Sequence, residues 1–162
     1  MILKKLFNLI KKEKEQNNIN DNLNYVKIPY SEINEDIKSK IRDLEKSSEE
    51  LCIKYENKYK DLFEKAGKRN LELKVARDID GDEIESLTDN GYLEPEYRSM
   101  ISFYYDDGTE ESREFDYFQT GIELWYYSTG YSRYGSGTLY CLTIEELEKE
   151  IEEILYSLLN YD

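Results

Sequence analysis

The sequence predicts an α+β fold: an antiparallel sheet, a meander of about five strands, with a long N-terminal helix and a C-terminal helix packed on one face. Three observations carry this. Apolar residues recur at steps of three and four over residues 32–66, and again over 144–158. Between Leu71 and Leu142 the apolar period falls to two, and the runs are separated by turns containing glycine. Strands joined in succession by hairpin turns lie antiparallel, and amphipathic helices then cover one face of the sheet.

Residues 1–24 read as a basic amphipathic segment and a polar linker, ahead of a single α+β domain over residues 25–162. In residues 2–14, Ile2, Leu3, Leu6, Phe7 and Ile10 form one stripe, with Lys4, Lys5, Lys11, Lys12 and Lys14 around it. Docking of this short helix on the domain or on a second copy is preferred to contact with a membrane surface. The stretch 16–24 is rich in asparagine and reads as a linker. Tyr25–Pro29 is extended, because Pro29 disfavours helix at Ile28.

Ser31 is the expected cap of the long helix. Ile33, Ile37, Ile41 and Leu44 begin its stripe, and Leu51, Tyr55, Tyr59, Leu62 and Phe63 resume it up to the stop at Gly67. A helix over 32–66 would be about 50 Å long. Ser47-Ser48-Glu49-Glu50 is an internal capping signal, which leaves two readings open: a helix bent or broken there into a kinked hairpin, or one projecting helix used for self-association.

Leu71, Leu73 and Val75 alternate with Glu72 and Lys74, and Asp80-Gly81 makes a tight turn. The clearest hairpin joins Met100–Tyr105 to Ser112–Phe118 through Asp106–Thr109. Ile122–Tyr127 follows, then a Gly/Ser/Tyr loop over 128–137, then a short strand Leu139–Leu142. Thr143 with Glu146 forms a capping box, opening a helix with Ile144, Leu147, Ile151, Ile154, Leu155 and Leu158 on one stripe.

The chain has no histidine, which excludes Ser/His/Asp and Cys/His nucleophile systems and histidine metal sites. No GxxxxGK[ST] or GxGxxG sequence is present to cradle a phosphate. No cofactor is expected. Asp78–Asp82 invites comparison with a calcium loop, but the sixth position, which needs glycine, is Glu83. A hairpin turn is the preferred reading. Glu94 and Glu96 could form an acid/base pair, though two carboxylates among 36 acidic residues carry little weight without geometry. Cys52 and Cys141 read as small apolar residues in a reducing cytoplasm.

Charge is the most informative feature. The net of −14 divides into +3 over residues 1–15, zero over 16–70, −11 over 71–142 and −6 over 143–162. Such a body repels nucleic acid and anionic lipid and attracts basic protein. If Ile122, Leu124 and Tyr126 face the helices, the outer face carries Tyr104, Glu123, Trp125 and Tyr127, with Asp116 nearby. Tyr and Trp are the residue types that dominate binding hot spots. The alternative is that the faces are inverted, or that the N-terminal segment covers this one. Tyr131, Arg133 and Tyr134 add a candidate contact loop. On the last helix, Glu146–Glu150 and Glu148–Glu152 are like-charge pairs that a helix built only for stability would avoid. This pattern suggests a non-enzymatic acidic protein, of the inhibitor or immunity type, engaging a basic partner through these residues, with Glu148 and Glu152 among them. The other readings are a module that self-associates through its helices and, third, a carboxylate-dependent enzyme.

Overall fold

The computed structural model describes residues 24–84, 91–109, 121–129 and 135–160. The expected helix at 2–14, the linker up to residue 23, the strand Ser112–Phe118 and the contact loop lie outside these, as do Asp116, Tyr131, Arg133 and Tyr134. The elements are β1 (Tyr25–Pro29), α1 (Glu35–Lys65), β2 (Arg69–Ile79), β3 (Asp82–Glu83), β4 (Tyr97–Asp106), β5 (Gly121–Ser128), β6 (Ser136–Tyr140) and α2 (Ile144–Asn160). They form an α+β structure with a six-stranded antiparallel sheet in the order β1-β6-β5-β4-β2-β3.

The meander is present, with two additions. Tyr25–Pro29 becomes a sixth strand by pairing with β6 at one edge. At the other edge, β3 folds back on β2 through the Asp80-Gly81 turn, and both turn residues have positive φ. The hairpin reading of Asp78–Asp82 therefore holds. The strand β4 pairs with β2 on one side and with β5 on the other.

One detail of the long helix differs from expectation, and the choice between a bent and a continuous helix falls to the second. Its cap is Asn34 rather than Ser31, with the Asn34 side chain accepting from the Ile37 N–H at 3.0 Å. Ser31 lies in a 3₁₀ turn over Tyr30–Glu32. The helix is also continuous through Ser47-Ser48, about 46 Å over its 31 residues. Ser48 is fully buried there. A serine in this position keeps the interface small, which is a packing role and not a break. The helix ends as the glycine predicts. Gly67 takes φ +79, the Lys68 N–H donates to Phe63 O and the Gly67 N–H to Glu64 O.

The length of α1 follows from the topology, because it carries the chain from β1 at one edge to β2, four strand spacings away, or about 19 Å. In crossing the sheet it joins two parts of the core. Its first half packs Ile37 and Ile41 with Ile28, Tyr97, Trp125, Tyr127 and Leu139. Its second half packs Leu51, Cys52, Tyr55 and Phe63 with Leu73, Ile101, Phe103, Ile122 and Leu124, and with Leu147, Ile151 and Leu155 of α2.

The main correction concerns β5. Ser99 faces Trp125 and Met100 faces Glu123, so Leu124 is an extra residue, a β-bulge. A bulge advances the side-chain alternation by one position. Ile122 and Leu124 face the helices as expected, but Trp125 and Tyr127 then do so as well, and Tyr126 does not. Trp125 is 0% exposed and its Nε1 donates to Tyr92 O at 2.8 Å. Its ring stacks on that of Tyr127 at 6.5 Å between centroids. It also lies over Gly137 of β6, where an added Cβ would sit 1.8 Å from the indole. Gly137→Ala must therefore displace a fully buried ring. It is expected to cost about 1–3 kcal/mol or more, read as a lower urea midpoint, and an unchanged midpoint would refute this packing.

Candidate functional site

The sheet face turned away from the helices does carry charge, but much of it is internally engaged. Asp78 is buried. It accepts from Arg98 Nε at 3.0 Å and Nη2 at 3.3 Å, and from the Gly81 N–H at 3.0 Å. Lys74 pairs with Glu83 at 2.9 Å. Tyr104 is half-buried on this face, opposite Glu72. Glu123 is half-buried opposite Met100, and burial raises its pKa; Arg98 works against the rise and Asp78 adds to it. Of the residues expected here, Tyr104 and Glu123 are present, whereas Trp125 and Tyr127 belong to the core for the reason given above. Tyr126 takes their place.

Tyr126 leads to Glu96, the carboxylate considered as half of an acid/base pair. Glu96 adopts φ +65 between the ends of β2, β4 and β5. It accepts from the Tyr126 hydroxyl at 2.6 Å, the Thr129 N–H at 3.1 Å, the Thr129 hydroxyl at 3.2 Å and the Ser128 hydroxyl at 3.3 Å. These donors, the Tyr126 hydroxyl first, hold its carboxyl below the usual range. A carboxylate so held positions strand ends. It is poorly suited to moving protons.

Sequence reasoning missed a buried polar network between α1 and the sheet. Glu45, 3% exposed, accepts from the Tyr97 hydroxyl at 2.6 Å and pairs with Arg77 Nε at 3.1 Å. Arg77 Nη2 reaches Glu49 at 2.7 Å. Burial, then the Glu45 charge, pushes the Tyr97 phenol far above its ordinary pKa, so it remains a donor. One signal was available: Glu45 stands four residues after Ile41, on the apolar stripe itself. A carboxylate in that position needs partners on the facing layer.

The acids of α2 are also engaged within the molecule. Glu146 and Thr143 form the predicted capping box, at 3.0 and 3.2 Å. Glu150 accepts from the Tyr140 hydroxyl at 3.1 Å and from the Asn24 side chain. Glu148 and Glu152, expected to face a partner, pair with Lys54 at 2.7 Å and Lys58 at 2.8 Å on α1. The lysines missing from α2 are thus supplied by its neighbour, which relieves the repulsion along the helix. The Lys68 ammonium binds the Leu158 and Leu159 carbonyls at the end of α2, where a cation suits the helix dipole. Cys52 is buried, with its thiol pushed up to about 12 by that burial, so it is unreactive.

Among the described residues, no group of three or more Cys, Asp or Glu could hold a metal ion, and no helix is long and apolar enough to cross a membrane. No protein-family model, curated protein or solved structure matches this chain.

Two tests follow from this geometry. Tyr97→Phe removes a donor from a buried carboxylate and is expected to cost about 1–3 kcal/mol in urea unfolding. A loss below a few tenths would show that Glu45 does not depend on that bond. For Glu123 the folded-state pKa is raised, so the carboxyl is protonated in both states at low pH. Its ionisation then favours the unfolded chain increasingly as pH rises from the unfolded value, about 4.3, to the folded one, and by a constant amount above that. Glu123→Gln should stabilise the protein at pH 7, and the gain should shrink as pH falls through the folded value and vanish below the unfolded one, about 4.3. A gain that is constant with pH would rule out ionisation as its cause.

Proposed function

We propose that this chain is a non-enzymatic acidic binding protein, of the inhibitor or immunity type, that engages a basic protein partner. The observation that carries the proposal is the net charge of −14, concentrated in residues 71–162. Internal ion pairs do not lower it, because each removes one charge of either sign. Beyond the spacing within a pair, and within the range that salt allows, the net charge dominates what an approaching molecule meets.

The structure redraws the surface that would do this. Trp125 and Tyr127 leave the contact set because they are buried, and Glu148 and Glu152 contribute only as part of pairs with Lys54 and Lys58. Glu145 and Glu153, both exposed on α2, take their place. Tyr104 and Glu123 remain on the outer sheet face. Asp116, Tyr131, Arg133 and Tyr134 stay in the proposal on sequence grounds.

The chain, immobilised, should retain a protein of isoelectric point above about 9 from its native cell at roughly 0.05 M salt and release it near 0.5 M. Glu145→Lys with Glu153→Lys should slow association more than it speeds dissociation, as outlying charges act on encounter. Retention of acidic proteins, or binding indifferent to salt, would overturn the proposal.

A further inference from the structure

The seam between α1 and α2 has a regular pattern of its own. Lys54 meets Glu148 and Lys58 meets Glu152, so both partners advance by four residues in the same direction. The two helices therefore run side by side and parallel here. The next step of the same register sets Leu62 beside Tyr156. Leu62 is 48% exposed and Tyr156 is 68% exposed, two of the five large apolar side chains open to solvent among the described residues. One face thus presents a row of lysines ending in leucine, and beside it a row of glutamates ending in tyrosine.

We propose that this face binds the same face of a second copy. A two-fold axis relating two apposed faces must lie in the plane between them. If it lies across the helices, α1 meets α1 antiparallel and lysine confronts lysine. If it lies along the seam, α1 of each copy meets α2 of the other in parallel. Lys54 then opposes Glu148 of the second copy, Lys58 opposes Glu152, and Leu62 packs on Tyr156. Only the second arrangement is complementary at all three steps. Each lysine keeps its own glutamate and gains another, and the apolar pair is withdrawn from water. The repulsion between two acidic chains is screened beyond about 8 Å at physiological salt, so local complementarity decides the contact. This association is independent of a basic partner, which would meet the acids outside the seam.

Sedimentation of the full chain over a range of concentrations tests the proposal. A reversible dimer is expected, and Leu62→Asp with Tyr156→Asp should weaken it by about tenfold or more. Both sites are exposed, so the urea midpoint, measured at a concentration where the chain is monomeric, should change little and serves as the control for folding. A charge exchange tests whether these two rows form the contact. One variant carries Lys54→Glu and Lys58→Glu; the other carries Glu148→Lys and Glu152→Lys. Each alone should be monomeric, with like charges facing across the two-fold. Mixed, they should form a heterodimer, because every acidic row then meets a basic one. The proposal fails if the unmodified chain is monomeric up to about 1 mM, if the Leu62/Tyr156 variant dimerises unchanged, or if the folded exchange pair does not associate on mixing.

Discussion

The indole of Trp125, seated on the backbone of Gly137, is the contact on which the part of the core between β1 and the first half of α1 depends. It requires three things at once. A bulge at Leu124 must turn the side chain inward, the facing strand must carry no Cβ beneath it, and the Tyr92 carbonyl must meet its N–H. When these are met, Trp125 and Tyr127 extend the core to the edge where β1 joins β6, and the first half of α1 gains something to pack against. Removal of a buried Trp side chain typically costs about 3–5 kcal/mol. Without the bulge, the first half of α1 would face the polar alternation of β5, and β1 would lose the apolar surface that holds Ile28.

The second constraint is polar. Glu45 lies where an apolar residue would otherwise continue the stripe of α1, and it is bound by Tyr97 from β4 and Arg77 from β2. Leaving a buried ion pair with one partner is costly, about 3–5 kcal/mol, while the intact pair contributes little net stability compared with well-packed apolar residues. Its effect is therefore mainly on alternatives. A slide or rotation of α1 by one residue would leave a charge in the core. This fixes the helix over the sheet at the point where the two parts of the core meet, and the small buried Ser48 one turn later lets it lie close.

The legibility of this fold in its sequence follows the range of the interaction that decides each feature. Local signals are legible: the period of each helix, the Gly67 stop, the Asp80-Gly81 turn and the Thr143–Glu146 box all depend on residues within a few positions. The features that local sequence leaves undecided depend on a partner far along the chain. Asn34 and Ser31 are equally good caps locally, and the path of the chain between β1 and α1 selects the first. Ser47-Ser48 resembles a break until a sheet lies against it. The bulge at Leu124 has no local signature, and without it alternation sends Trp125 to the wrong face. Two of the four residues assigned to the outer face by alternation, Trp125 and Tyr127, changed sides for that single reason.

The acidic helix α2 illustrates the same division and separates two roles of charge. Read alone, its glutamates are a surplus held against their own repulsion. Read with α1, Glu148 and Glu152 are half of a ladder whose lysines arrive from residues 94 positions earlier. Surface pairs of this kind contribute only about 0–1 kcal/mol each to stability, so their main consequence is spatial. They make the seam locally balanced, with both signs in rows, while the rest of the helix and the sheet-bearing half remain unbalanced. A balanced surface that carries both signs in order complements itself, whereas an unbalanced one complements only a surface of opposite sign. The molecule thus has two kinds of surface, one suited to a second copy and the other to a basic protein. The net charge of −14 distinguishes them only at a distance, and the placement of Lys54 and Lys58 distinguishes them at contact.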